Sequence, residues 1–368
     1  SRVPSAASAS SLTITTGAAL TLPQMSIAGP QTYSAGGSGI TLTAEVLSTQ
    51  AGDISFNSPV TLASDLTVQS TESAVTFGST VAGGTYQLNV DAADQNGGGP
   101  VTFVGAVSGL GRSSASAALS VSSSGALFDT TLDANNGLAI TGPVTFSDTV
   151  TLGDGGAPSI FDGPVTLGKA GGMDLSGYTL MNFEGGVLLQ NGPATIESNN
   201  SALNFTAGTV SGPYALTLDS GTAALTGLDR MGSDLTGLTV TALSPTIPVS
   251  GLSISGPQTY TATSSSTITL DGNVTSTAAG AITFNDPVVL GAAVTVASVN
   301  SPVDFGATVD GNKNLTVDAG TGTTEFTGAV GAVTPVGSGT GAAIALEGTG
   351  TTTFDSTVQT RSGITAAG

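Results

Sequence analysis

Apolar residues recur at every second position in short runs, as in Val60-Thr-Leu62, Val144-Thr-Phe146, Val150-Thr-Leu152, Val165-Thr-Leu167 and Val294-Thr-Val296. That is the period of a strand with one buried face, and no segment sustains the 3.6-residue period of a helix. All twelve phenylalanines open one short motif: Phe56, Phe77, Phe103, Phe128, Phe146, Phe161, Phe183, Phe205, Phe284, Phe305, Phe326 and Phe354. In all but Phe205 the residue four places on is Val or Leu, and the triplets between are turn formers such as NSP, SDT, DGP and NDP. The motif predicts strand, bend, strand.

Successive phenylalanines mostly stand 15 to 28 residues apart, with one gap of 79 between Phe205 and Phe284 where Leu, Ile and Val take the apolar places. A coil of roughly 22 residues cannot bury an apolar face alone, but a neighbour stacked on it covers that face and pairs its backbone. The expected fold is all-β: an elongated, parallel, right-handed β-helix or solenoid with roughly 22-residue coils. Its phenylalanines should point inward, most of them stacked in one or two structural ladders. About sixteen rungs at ~4.8 Å would span roughly 80 Å.

A longer repeat lies above the short one. Gly29-Pro-Gln-Thr-Tyr33 returns as Gly256-Pro-Gln-Thr-Tyr260, an offset of 227 (29 to 256). Ile54-Ser-Phe56-Asn-Ser-Pro-Val60 returns as Ile282-Thr-Phe284-Asn-Asp-Pro-Val288, and Leu88-Asn-Val90-Asp91 as Leu315-Thr-Val317-Asp318. Residues about 25 to 141 thus reappear as about 252 to 365. The expected organisation is a lead-in segment 1–24, a first long repeat 25–251 and a second, incomplete one 252–368, within a piece of something longer.

The series GPQTY, TFNDPVVLGA, VDFGATVDGNKNLTVDAGTGTTEFTGAVG and TTTFDSTV resembles the β-strand repeats of large bacterial exoproteins of the filamentous-haemagglutinin-like and autotransporter type. The resemblance covers nearly the whole chain. It implies export, a β-helix and a role at the bacterial cell surface in adhesion or biofilm matrix. Expected partners are further copies of the chain, joined end to end or laterally, and surface glycans or host and matrix proteins.

Composition narrows the chemistry. The charge of −19 from 25 acidic and six basic residues repels phosphate backbones, so no nucleic acid is expected. No run of about 18 apolar residues is present, so this segment should not insert into a membrane. The absence of His and Cys removes Ser-His-Asp, Cys-His and zinc mechanisms. The chain is expected not to be an enzyme and to need no cofactor. The competing reading is a carbohydrate-active β-helix lyase or glycosidase with an Asp pair in a groove.

Calcium is the one ion for which the sequence offers weak candidate ligands, Asp91, Asp94 and Asn96, and a loop of turn formers is the plainer reading of that stretch. Asp129, Asp162 and Asp355 each follow a motif phenylalanine and could stack in register, though they read better as bend residues. Thr13/Thr15, Thr41/Thr43 and Thr267/Thr269 are Thr-x-Thr pairs of the kind that form ice-binding arrays, but outward strand positions explain them. Tyr33 and Tyr260, at matching places, could stack on a sugar; a role in packing the start of each long repeat is preferred.

Overall fold

A computed structural model describes residues 10–93, 98–111 and 116–367. The chain is an all-β parallel solenoid of about 16 coils of roughly 22 residues. The strands are short, mostly three residues, and in most of them the outer two side chains are buried while the middle one faces out. The only helical segment among the described residues is one 3-10 turn, Leu228–Arg230. Among the described residues no helix is long and apolar enough to cross a membrane.

The chain falls into two compact units. One comprises Ser1–Gly192 with Thr206–Gly208, the other Pro193–Phe205 with Thr209–Gly368. In the first unit each coil contributes one strand to each of three parallel faces. Tyr33 to Phe56 to Phe77 to Phe103 runs down the first face, Ile40 to Val60 to Val81 to Val107 down the second, and Leu66 to Leu88 to Leu119 to Leu138 down the third. Like stacks on like because every coil presents the same residue class at the same place, so the core is a set of in-register columns.

The aromatic column is continuous over six coils. Tyr33, Phe56, Phe77, Phe103, Phe128 and Phe146 stack with centroids 4.7–5.5 Å apart and planes within 25°. Phe146 is followed by Leu167 and then Leu189 in the same column. Phe161 and Phe183 stack on each other at 4.9 Å on the third face instead, and Phe161 meets Phe146 edge to face at 6.1 Å. The phenylalanines of this unit thus stack in two ladders, because the motif places its phenylalanine at more than one corner of the coil and each corner needs an apolar residue before a turn.

In the second unit the corresponding column is Ile196, Leu218, Val240, Tyr260, Phe284, Phe305, Phe326 and Phe354. In this column the 79-residue gap in the phenylalanine spacing is filled by Leu218, Val240 and Tyr260. Eleven of the twelve phenylalanines are buried, and Phe354 is only half-buried, although it stacks on Phe326 at 4.7 Å.

The two copies of the long repeat follow the same internal path. Tyr33 against Phe56 (5.5 Å, 18°) matches Tyr260 against Phe284 (5.4 Å, 16°). Phe77 against Phe103 (4.8 Å, 1°) matches Phe305 against Phe326 (4.8 Å, 2°). Each copy opens on a tight corner: a side chain at Gly29 would overlap the Ser10 carbonyl, and one at Gly256 the Thr236 carbonyl. Beyond that corner a buried glutamine accepts the tyrosine hydroxyl, Tyr33 to Gln31 and Tyr260 to Gln258, each at 2.6 Å. The glutamine amide then donates to a neighbouring carbonyl, of Leu47 or Thr275, at 2.7 Å. Each of these buried polar atoms is satisfied, so the network closes instead of weakening the core.

Candidate functional site

Tyr33 and Tyr260 are wholly buried, so neither can stack on a sugar; they pack the start of each copy. Burial alone pushes both phenols well above the ordinary tyrosine range.

Asp91 is engaged locally: its carboxylate accepts from Gln69 Nε2 at 3.0 Å and from the Ala93 amide at 3.2 Å. Its counterpart Asp318 makes the same turn, accepting from the Gly320 amide at 2.9 Å. Asp94 and Asn96 lie outside the described residues. Among the described residues no three His, Cys, Asp or Glu side chains group so as to hold a metal ion.

Asp129, Asp162 and Asp355 are not brought together. In-register neighbours of Asp129 are Val104 and Ser147, of Asp162 Glu184, and of Asp355 Thr327, as the pairings of the preceding phenylalanines fix. All three carboxylates are exposed. The carboxylates that cap a neighbouring coil are others: Asp53 accepts from the Ala74 amide, Asp65 from Gln87 and Asp286 from Ala262, at 2.9–3.0 Å. Ser58 does for Ala35 what Asp286 does for Ala262. Sequence reasoning missed these bonds because their partners lie one coil away, about 22 residues along the chain. The signal available was the common place of Ser58 and Asp286 in NSP and NDP.

Thr13, Thr15, Thr41 and Thr269 lie on strands facing outward, Thr43 and Thr267 just beyond a strand end, and no array forms. Thr13 and Thr15 stand beside Thr32 and Ser34, and the next coil brings Ser55. Thr41 lies between Thr21 and Thr61, and Thr269 between Thr246 and Val289.

Two carboxylates do meet across coils. Asp304 and Glu325 are register partners, and burial together with the Glu325 charge holds the Asp304 carboxyl above the usual carboxylate range. Elsewhere Lys169 Nζ lies 2.8 Å from Asp148 and, with the Thr149 amide, holds its carboxyl low.

A polar groove of about 310 Å³ lies on the third face of the first copy. Glu45, Asp65, Thr67, Gln87, Asn89, Ser116 and Ser120 line it, above the buried Leu66 and Leu88. Register places Thr67, Asn89 and Ser120 in one outward column. Asn89 Nδ2 reaches Thr67 Oγ1 only at 3.5 Å, a stretched bond. A second hollow of about 330 Å³, in the second copy, is mainly apolar, and lies where Asp310 ties down the amides of Val333 and Thr334 at 2.8 and 3.0 Å.

No family model matches the chain, and no curated protein and no solved structure matches it. The fold is thus established from its own geometry as a β-solenoid, and its function rests on the chemistry of its surface.

Proposed function

We propose that the chain is a secreted bacterial surface or matrix protein of the filamentous-haemagglutinin-like kind, a structural and adhesive solenoid. It works by presenting its outer strand positions to partners and by associating with itself laterally or end to end. The observation that carries this reading is the contrast between the two sides of the strands. Inward positions repeat almost unchanged between the copies: Ile54, Phe56, Val60, Val68 and Val75 against Ile282, Phe284, Val288, Val296 and Val303. Outward positions repeat less: Ser55, Thr61, Gln69 and Thr76 stand against Thr283, Val289, Ala297 and Asp304, while Thr32, Thr41 and Thr67 recur as Thr259, Thr269 and Thr295. An outer surface free to vary over a fixed core is what a display scaffold needs.

Adhesion is tested with beads coated with the chain and applied to immobilised matrix polysaccharide and to a bare surface, and self-association by sedimentation at rising concentration. Retention on the polysaccharide and growth in sedimentation coefficient are the expected results. Release of reducing ends from mixed polysaccharides would replace this reading with the enzymatic one.

A further inference from the structure

We infer that the groove over Glu45, Asp65, Thr67 and Asn89 is a binding site for a short, uncharged oligosaccharide. The inference rests on the adhesive reading and gives it a place and a ligand class. At about 310 Å³ the groove reaches the lower end of the range of small-molecule sites, roughly 300–1,000 Å³. Its lining is made of groups that pair with hydroxyls: carboxylates accept from them, amides both donate and accept, and serine and threonine do either. Glu45, Asp65 and Asn89 are exposed, and the stretched contact from Asn89 to Thr67 costs little to exchange for a ligand hydroxyl.

Charge selects among sugars. Among the described residues lining the groove two are acidic and none is basic, in a chain of net charge −19. A uronic, sialic or sulfated sugar would meet repulsion with no compensating cation.

The second copy serves as the internal control. Its backbone stacks in the same way, Val46 on Val68 matching Val274 on Val296 and Leu66 on Leu88 matching Val294 on Leu315. There the two carboxylates are absent, Glu45 being replaced by Asn273 and Asp65 by Ala293. Gln87 Nε2 donates to the Ser116 carbonyl at 3.4 Å, and its match Asn314 donates to the Thr340 carbonyl at 2.9 Å and accepts from the Ser338 amide at 2.8 Å. A groove required only by the fold would carry the same outward residues in both copies.

The test is titration of the whole chain with cellotriose, maltotriose and galactotriose, with trigalacturonate as the acidic counterpart and calcium alone, followed by saturation-transfer NMR and calorimetry. One neutral trisaccharide should bind with a dissociation constant on the order of 1 mM, since hydrogen bonds that replace water contribute modestly. Trigalacturonate should not bind. The variant Glu45→Asn with Asp65→Ala installs the residues the second copy carries on the same backbone. It should keep amide-exchange protection at Val46, Leu66 and Leu88 while binding weakens at least about tenfold. No neutral sugar bound, undiminished binding in the variant, or binding of calcium alone would each overturn the inference. If the unaltered chain adheres to matrix polysaccharide yet binds no neutral trisaccharide, the groove fails and the adhesive reading stands; failure of the unaltered chain to adhere removes the adhesive reading itself.

Discussion

Removing one ring from the aromatic column tests whether stacking is what holds each coil. Phe305 is 1 % exposed and lies between Phe284 at 5.1 Å and Phe326 at 4.8 Å, with planes within 18° of both. Losing its burial costs about 1.5–3 kcal/mol, and two ring contacts add about 0.5–1.5 kcal/mol each. Neighbouring coils are tied to one another by backbone bonds and cannot close the gap, so Phe305→Ala should cost about 3–5 kcal/mol, as large-to-small core substitutions do. Phe305→Leu keeps most of the burial and should cost about 1–1.5 kcal/mol. In a stacked-coil protein the loss falls mainly on the altered coil and its neighbours, so global melting is the wrong assay. Native-state hydrogen exchange reads it locally, at the Gly306 amide, which donates to Phe284, and the Thr327 amide, which donates to Phe305. Protection there should fall by about two to three and a half orders of magnitude. Phe77, between Phe56 at 5.1 Å and Phe103 at 4.8 Å, sits in the same geometry, so Phe77→Ala should agree within about 1 kcal/mol. A loss under tenfold at Gly306 and Thr327, or one spread evenly over every coil, would refute the column as the local source of stability.

Tyr260→Phe leaves buried Gln258 Oε1 without its 2.6 Å donor and should cost about 1–3 kcal/mol; Tyr33→Phe should cost the same, and the two should add, as denaturant titration of the double variant checks. Both phenols keep their protons in the folded state beyond the pH near 10 where an exposed tyrosine ionises, so the native state binds more protons and stability falls as pH rises above about 10. Circular dichroism and the 295 nm phenolate absorbance should then change together, and phenolate formation at both with the β signal intact would contradict their burial. Asp304 has the same sign at the acid end: its raised carboxyl lowers stability as pH rises through its titration. Asp304→Asn should therefore stabilise at neutral pH and flatten the acid side of the stability curve, while the low Asp148 carboxyl works the other way and loses its pairing with Lys169 as pH falls. Chelator should leave the β circular-dichroism signal unchanged, because Asp91 spends its oxygens on Gln69 and Ala93.

The fold was legible because a parallel solenoid writes its core into the chain at one spacing. Val-Thr-Phe and Val-Thr-Leu triplets state which side chains turn inward, and the 227-residue recurrence states that one set of columns is built twice. What the triplets do not state is the corner. Phe-x-x-x-Val serves equally at Phe56, which turns the chain from first face to second, and at Phe161, which turns it from third face to first. Any apolar residue before a bend satisfies either place, so only the backbone pairing separates them. The groove was illegible for a similar reason: Glu45, Asp65, Gln87 and Asn89 are scattered along the chain among other polar residues, and only register gathers them.

The duplication lets the molecule report on itself. Where a position carries the fold, the copies agree in identity and in geometry, down to the Tyr-Gln pair that opens each. Where a position satisfies one backbone amide, the copies keep the role only in part: Ser58 and Asp286 share it, while Asp53 and Asp65 stand against Ala281 and Ala293. Where a position faces solvent with no such duty, they can differ: Thr61 and Val289, Asn89 and Thr316. Stability therefore constrains the first class strongly, the second by chemistry alone and the third hardly at all. Positions of that third class have no structural reason to be assembled, and Glu45, Asn89 and Ser120 gather in the first copy's groove beside Asp65 and Gln87. That makes it the part of this surface where recognition chemistry is best sought.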